Sequence, residues 1–276
     1  MLNVDLHCHS TASDGALSPE EMATIAKNNN VDIWSLTDHD VLSGQEAAMS
    51  KAKEYGINFI TGVEISTVWG GRTLHIVGLN FDHNNELILK GLEGIRKGRA
   101  IRARDIASRF DSIGISGTFE GAMRYADKEE NLSRTHFARH LVDTGVCSQM
   151  QEVFDRYLTV GKPAYVAGNW ATLEEAVTWI TESGGIAVIA HPGRYKYTTE
   201  EYVNLFNEFK ELGGRAIEVV TGSHFPSQYQ EYAFIAKKYG FLASCGSDYH
   251  GLEKNSMILG EVPPLPKGLD PVWEHF

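Results

Sequence analysis

Short apolar runs alternate along this chain with longer stretches whose apolar residues recur every three or four positions, and that alternation predicts strands and helices in turn. "LNVDL" (2–6) reads as a buried strand, and "SPEEMATIAKNNN" (18–30) as a helix with Ser18 as N-cap, Pro19 at the first helical position and Glu21 at capping-box spacing. "VDIWSLTD" (31–38) is the next predicted strand and "SGQEAAMSKAKEYG" (43–56) the next helix, ended by Gly56. "INFITGVEIS" (57–66) and "TLHIVGLN" (73–80) flank Gly70-Gly71, a hairpin signal. "LEEAVTWITESGG" before "IAVIAHP", "TEEYVNLFNEFKELGG" before "RAIEVVTG" and "SQYQEYAFIAKKYG" before "FLASCGSD" continue the rhythm. Helices followed by short apolar strands argue an α/β fold with mainly parallel strands. About seven strands suit a barrel, and the pattern alone leaves an open sheet standing.

Residues 85–165 break the rhythm. Ile88, Leu92, Ile95, Ile106 and Phe110 stand at helical spacing, and no strand signal returns until about Tyr165. This predicts a helical insert over 85–165, with 1–84 and 166–276 forming the body that carries it. Within the insert, "IRKGRAIRARDIASR" holds Arg96, Lys97, Arg99, Arg102, Arg104 and Arg109. Such a run ordinarily reads as a solvated helix face, with a track for a short RNA tail as the sharper alternative. "EVPPLPKGLDP" reads as a Pro-rich surface loop.

Charge and cysteine narrow the classes. With 25 basic against 36 acidic residues the net charge is −11, which disfavours a surface for coating extended DNA. A small anionic substrate remains compatible, since bound cations reverse a local field. No run of about 18 apolar residues suggests a membrane span. The N-terminus runs straight into polar residues without a leader pattern, so a cytoplasmic enzyme is expected. Cys8, Cys147 and Cys245 are odd in number and have no CxxC, which argues against disulfides or a thiolate zinc site.

The chemistry lies where predicted strands end, the edge on which parallel α/β folds gather functional groups. The first strand delivers His7 and His9, then Asp14; "TDHD" delivers Asp38 and His39; "GVEIS" delivers Glu64; "TLHIVG" carries His75; "IAVIAHPG" ends in His191; "CGSDYHG" holds Asp248 and His250. A single such histidine ordinarily reads as a hydrogen-bonded core residue, and one H-x-H follows from strand alternation alone. Six of the 11 histidines together with three carboxylates at strand ends are a different matter, because burying so many ionisable groups without cations is costly. Imidazoles and carboxylates without thiolates suit Zn, Mn or Fe. Cys8 lies between two of these positions and, by alternation, points into the barrel wall; Cys245 is expected to pack as well.

In this order, "DLHCHSTASDG", "LTDHD", "GVEIS", "LHIVG", "IAHPG" and "GSDYHG" resemble the PHP (polymerase and histidinol phosphatase) superfamily, over the whole chain apart from the insert. The resemblance implies a distorted (β/α)7 PHP barrel bearing a helical insert, and three divalent ions (Mn2+, Zn2+ or Fe2+). Carried over position by position, His7, His9, Glu64 and Asp248 hold one ion. Glu64 bridges to a second, completed by His75 and His191, and Asp14, His39 and His250 hold the third. No ligand position departs from the family pattern. Three divalent ions against three carboxylates leave the pocket positive, so a phosphate ester is the natural substrate and the ions activate water against it. Asp38, beside His39, is a candidate for orienting a ligand imidazole.

"LSRTHFARHLV" (132–142) and "VGKPAYV" (160–166) draw the resemblance toward a subgroup that removes the 3′-phosphate of nucleoside 3′,5′-bisphosphates. Relatives in that subgroup also trim short 5′-phosphorylated RNA. Both activities need a site for a 5′-phosphate. Arg134 and Arg194 are the candidates, since guanidinium grips phosphate bidentately; an ion pair or cap at a helix start is the plainer reading of Arg134. Lys162 and His224 stand behind them as substrate contacts, Tyr165 and His224 as nucleoside neighbours, and His224 as a candidate acid for the leaving oxygen. The catalytic set is thus Glu64, His191, Asp248, Arg134 and His224. His136 and His140, on successive helical turns, are expected to pack or lie at the surface. A histidinol-phosphate phosphatase shares the metal core and is the main alternative. A polymerase-associated exonuclease lacks its polymerase here, and an amidohydrolase ordinarily uses a carboxylated lysine that no strand end supplies.

Overall fold

The computed structural model describes residues 2–251 and 257–276. Its strands are β1 (Val4–Asp5), β2 (Ile33–Leu36), β3 (Asn58–Trp69), β4 (Arg72–Leu79), β5 (Ala171–Thr172), β6 (Ile186–Ile189), β7 (Ala216–Thr221) and β8 (Leu242–Gly246). The helices are α1 (Pro19–Asn28), α2 (Gln45–Tyr55), α3 (Glu86–Ser112), α4 (Thr118–Met123), α5 (Arg134–Asp143), α6 (Met150–Val153), α7 (Leu173–Glu182), α8 (Thr199–Glu211) and α9 (Pro226–Tyr239). The sheet runs β1-β2-β3-β4-β6-β7-β8, with β5 attached to β3. It nearly closes: the Leu6 amide donates to the Cys245 carbonyl at 3.0 Å, and Cys8 bridges to Tyr249. Seven strands in a nearly closed barrel answer the alternative that the sequence pattern left standing.

Local chemistry explains the elements. Ser18 and Glu21 form both legs of the predicted capping box of α1, and Gly56 ends α2 at φ 73°. Gly70 and Gly71, at φ 55° and 73°, make the two-residue turn that returns β3 into β4, a turn requiring positive φ at both positions. That hairpin places β4 antiparallel to both neighbours in an otherwise parallel barrel.

Two predicted strands come out differently. The first pairs only over Val4–Asp5, because beyond it the Asp5 carboxylate replaces a ladder by accepting the amides of Ser247 and Gly260, both at 2.9 Å. The strand expected near Tyr165 is irregular up to β5; Arg102 Nε takes the Val166 carbonyl at 2.9 Å, which removes it from any ladder. No helix among the described residues is long and apolar enough to cross a membrane.

The apolar residues gather in three clusters. The largest fills the barrel and its outer helices α7, α8 and α9, a second lies under α1 and α2, and a third belongs to the helices between α3 and Tyr165. Helix α3 serves two of them: Ile88, Leu92 and Ile95 pack into the barrel core, while Ala103, Ile106, Ala107 and Phe110 pack against α4 and α5. Because an α-helix is stiff, α3 ties the two cores into fixed registry.

Candidate metal centre

Six histidines and three carboxylates from sequence-distant strands and the segments after them meet in one cluster. Close backbone approach makes this possible. A Cβ on Gly246, at the end of β8, would lie 2.3 Å from His7 Cβ, so only glycine lets the segments carrying His7 and Asp248 run side by side. Asp40, His191 and Asp248 have φ of 57°, 29° and 54°, strain concentrated around the cluster.

The innermost group is a cage. His7 Nε2 and His9 Nε2 lie 3.1 Å apart, Glu64 Oε2 lies 3.3 and 3.2 Å from them, and Asp248 Oδ1 3.6 and 3.5 Å. Ligand bonds of about 2.1 Å place tetrahedral donors about 3.4 Å apart, so the spacing fits four groups around one cation. Glu64 divides its oxygens: Oε2 faces this cage and His39 Nδ1 at 3.0 Å, while Oε1 meets His75 Nδ1 at 2.7 Å and His191 Nε2 at 2.9 Å. Asp14 Oδ1 stands 3.5 Å from His250 Nε2 and 3.9 Å from His39 Nε2. All nine residues fall into overlapping sets whose donor atoms lie within 4.8 Å of one another: His9, Asp14, His39 and His250; His7, His9 and Asp248; His7, Glu64 and His191; His39, Glu64 and His75.

The electrostatics suit cations. Asp14, Glu64 and Asp248 are buried, which by itself favours the neutral acid, yet surrounding imidazoles hold all three carboxyls well below the usual range. Burial opposes charge on His7 and His9 as well, but Glu218, Glu64 and Asp248 raise His7, and Asp248 and Glu64 bring His9 to about 9. Burial depresses His39, His75 and His250, leaving neutral rings with free lone pairs. Asp14 Oδ1 and Glu64 Oε2 are buried without a hydrogen-bond partner. Orphaned carboxylate oxygens facing ring nitrogens are what a cation site looks like before its charge is counted.

The other predicted residues separate. Arg134 and Arg194 line a cavity of about 680 Å3 above the cluster, together with Arg99, Ser133, Phe154 and Trp170. Arg194 is 60% exposed, 3.8 Å from Asp248 Oδ2, and Arg134 donates to the Leu158 carbonyl at 3.2 Å. Lys162 is exposed, and neither it nor Tyr165 lines the cavity. His224 does not line it either. Its Nδ1 donates to the Val219 carbonyl at 3.2 Å and its Nε2 accepts the Gly193 amide at 2.9 Å, so both nitrogens are occupied and no proton is free for a leaving oxygen. His224 steadies the loop after His191 instead. Asp38 touches no ligand imidazole; it accepts from the Ser10 amide and from the Ser10 and Ser13 hydroxyls, stitching the loop between His9 and Asp14.

The imidazole-orienting carboxylate is Glu218, which sequence reading missed. Its Oε1 takes His7 Nδ1 at 2.7 Å, turning Nε2 inward, and its Oε2 accepts the His191 amide. The signal was a lone acid inside the apolar strand "AIEVVT". Of the two roles expected for His136, packing or surface, the structure has packing: it is fully buried, its Nδ1 accepting the Ser133 amide at 3.0 Å. The basic run is also resolved. Arg99 and Arg102 are buried, Arg99 paired with Asp40, and both lie over the Trp170 ring at 4.8 and 5.0 Å. Only Lys97, Arg104 and Arg109 of the run face solvent, the first two paired with Glu93 and Glu129. This is too sparse for a continuous track.

The sequence matches the PHP domain over residues 5–255. The chain belongs to that family. It is 45% identical over 276 residues, all of this chain and 97% of the other, to a 3′,5′-nucleoside bisphosphate phosphatase of Chromobacterium violaceum. A 5′-3′ exoribonuclease of Haemophilus influenzae is 42% identical over 99% of this chain and 98% of that protein, and the 5′-3′ exoribonuclease Rnm of Escherichia coli 40% identical over 98% and 92%. A solved structure from Chromobacterium violaceum, described as an amidohydrolase with bound sulfate and no metal, superposes with a TM-score of 0.96 at 45% identity over 99% of this chain and 95% of that one. This PHP protein is a metal-dependent phosphoesterase, a hydrolase of phosphate esters.

Proposed function

We propose that this phosphoesterase removes the 3′-phosphate of nucleoside 3′,5′-bisphosphates to leave 5′-nucleotides, and trims short 5′-phosphorylated RNA at the same site. The observation carrying this reading is a cavity of about 680 Å3 lined both by members of the donor cluster (Asp14, His39, His75, Asp248 and His250) and by the guanidinium groups of Arg134, Arg194 and Arg99. Such a cavity suits a small molecule with two separated anionic groups. The names of the relatives agree with it.

The nine donors would hold three divalent ions. His7, His9, Glu64 and Asp248 take one, Glu64 with His75 and His191 a second, and Asp14, His39 and His250 the third. The absence of thiolates favours Mn2+, Zn2+ or Fe2+. When bound, such ions supply Lewis acidity that activates water at neutral pH and offsets charge on the phosphoryl oxygens. The protein's own part is geometric. Glu218 turns His7 Nε2 inward, Glu64 offers one oxygen to each side, and the Ser223 hydroxyl holds Asp248 Oδ2 at 2.7 Å. Arg134 and Arg194 grip the second phosphate and so set which ester faces the cluster. Residues 85–165 act as a cap over barrel segments 1–84 and 166–276, and a nucleotide substrate makes the cytoplasm the expected compartment.

The test is phosphate release by metal-replete protein from 3′-phosphoadenosine 5′-phosphate, compared with histidinol phosphate. Mn2+-stimulated release leaving AMP is expected. Ready hydrolysis of histidinol phosphate with none from the bisphosphate would falsify the nucleotide reading and favour a histidinol phosphatase.

A further inference from the structure

The nine donors are held in two different ways. Glu64 and His75 lie on strands β3 and β4, locked in an antiparallel ladder, and the barrel residue Glu218 fixes His7 and the backbone of His191. Asp14, His39 and His250 lie on the segments that follow β1, β2 and β8, held there by isolated backbone bonds such as the His39–Glu64 bridge and the Ala16 amide to the His250 carbonyl at 2.8 Å. Side chains of the insert reach across to each of those three segments.

Ser133, the N-cap of α5, donates its hydroxyl to Asp14 Oδ2 at 2.9 Å. Arg139, from the next turn but one of the same helix, donates to the carbonyls of Asp14 (2.8 Å), Gly15 (3.2 Å) and His250 (3.4 Å). A single guanidinium therefore joins the two segments whose side chains meet at 3.5 Å, Asp14 Oδ1 to His250 Nε2. On α3, Arg99 Nε donates to Asp40 Oδ2 at 2.8 Å and Arg96 to the Asp40 carbonyl at 2.9 Å, gripping the residue after His39. Asp40 in turn accepts the Ser66 amide at 2.7 Å, so that His39 is fixed relative to β3.

We propose that the insert assembles the outer cation position, with Arg139, Ser133 and Arg99 as positioning residues for the Asp14–His39–His250 set. The inference rests on the three-ion reading given above. Its physical basis is that a segment outside a continuous ladder leans on side-chain bonds to hold its ligand in place. Loss of such supporting bonds characteristically weakens metal binding 10–100-fold, a range of about that order. Glu64, His75, His7, His191 and Asp248 are held by barrel groups instead, so loosening the insert bears first on the outer position. The same helices that carry Arg134 and Arg99 into the cavity thereby couple substrate binding to completion of the centre.

The experiment titrates Mn2+ into metal-stripped full-length protein by calorimetry and counts retained ions by elemental analysis, for the wild type, Arg139→Met, Arg139→Lys and Ser133→Ala. Thermal melts in chelator check that each variant folds. The wild type should hold three ions. Arg139→Met should hold two with unchanged affinity and bind the third roughly 10–100-fold more weakly. Arg139→Lys should recover part of that loss, and Ser133→Ala should move the same ion by less. A purely structural clamp would lower the melting temperature and leave all three affinities alone, which overturns the inference while sparing the three-ion reading. A wild type that binds fewer than three ions overturns that reading itself. If Arg139→Met does not fold, Ser133→Ala decides alone, and an unchanged third affinity in it counts against the inference.

Discussion

The barrel and residues 85–165 furnish different groups to one cavity. The barrel brings six imidazoles and three carboxylates, buried or half-buried and facing one another. The insert brings no member of that set; it brings guanidinium groups. Arg102, outside the cavity lining but beside Arg99 over the Trp170 ring, belongs to the same group. Burial, with Arg134 and Arg99 close by, pushes it down to about 9, and its hydrogen bond is to a carbonyl rather than a carboxylate. Uncompensated charge of this kind is destabilising in isolation and becomes favourable when an opposite charge arrives. The cavity is thus lined both by groups suited to cations and by groups suited to an anion, and a phosphate ester with bound cations would satisfy both. On the proposed function, the division teaches where to look: reactivity in the barrel, and selectivity in residues 85–165 together with the barrel's Arg194.

The harshest way to break the comparison is Glu64→Gln. Glu64 is the one carboxylate whose two oxygens face different donor groups, so its loss damages both sides. Transition-state charge stabilisation of several kcal/mol corresponds to about a thousandfold, and kcat should fall at least that much. Elemental analysis should show ions lost together with the activity. A Glu64→Gln enzyme within tenfold of wild type would mean that the barrel does not carry the chemistry.

The next largest effect concerns stability rather than rate. His136, inside the insert, is pushed down to about 4 by burial, with Arg139 adding to the depression and Asp14 opposing it. Its folded value lies below the ordinary 6.5, so the unfolded chain binds the proton first. Its contribution is therefore fully present above pH 6.5 and is lost as pH falls toward 4, about 3 kcal/mol over that interval. Urea unfolding of metal-stripped protein should show this slope, and His136→Asn should flatten it. Because the acids of the barrel also titrate there, the quantity to read is the difference between the two proteins.

Much of the barrel side was legible in the sequence and much of the insert side was not, for a physical reason. His7, His9, His191 and Asp248 follow apolar strands, and strand ends in a parallel fold share one edge, so local pattern predicts a common location, whereas Glu64 and His75 lie within the β3–β4 hairpin. Glu218 escaped because its strand neighbours made it look like an interruption, although a buried acid in an apolar strand always needs a partner. In the insert, helical periodicity assigned Arg99 and Arg102 to a solvated run, yet their partners Asp40 and Val166 are 59 and 64 residues away. Such pairings depend on tertiary approach, and nothing in the local pattern encodes them. His224 shows the converse error: it sits beside the site in the chain, while its ring is spent on backbone groups of Val219 and Gly193.

Arg134→Ala sharpens the comparison from the insert side. Removing charged hydrogen bonds to a bound phosphate costs about 1.5–3 kcal/mol, so KM for a bisphosphate should rise roughly 10–100-fold. Hydrolysis of a simple aryl phosphate, which has one anionic group, should keep its KM. Equal losses on both substrates would place Arg134 among the groups that serve the reacting phosphate and would erase the division between barrel and insert.

The smallest effect expected is that of Lys162→Ala, and its smallness is informative. Lys162 lies in "VGKPAYV", the stretch that made it a candidate substrate contact, but it is exposed and stands outside the cavity lining. An exposed lysine away from the bound ligand acts only through the long-range field, which salt screens within about 8 Å at physiological ionic strength. Its removal should leave kcat and the high-salt KM within twofold and lower kcat/KM slightly at low salt, where steering of an anion still operates. Measured beside Arg134→Ala in the same buffers, the pair separates a cation that touches the substrate from one that merely shares its sign. A tenfold rise in KM for Lys162→Ala at high salt would mean that residues 159–166 fold inward over the substrate, and the cationic wall would then extend beyond the helices of the insert.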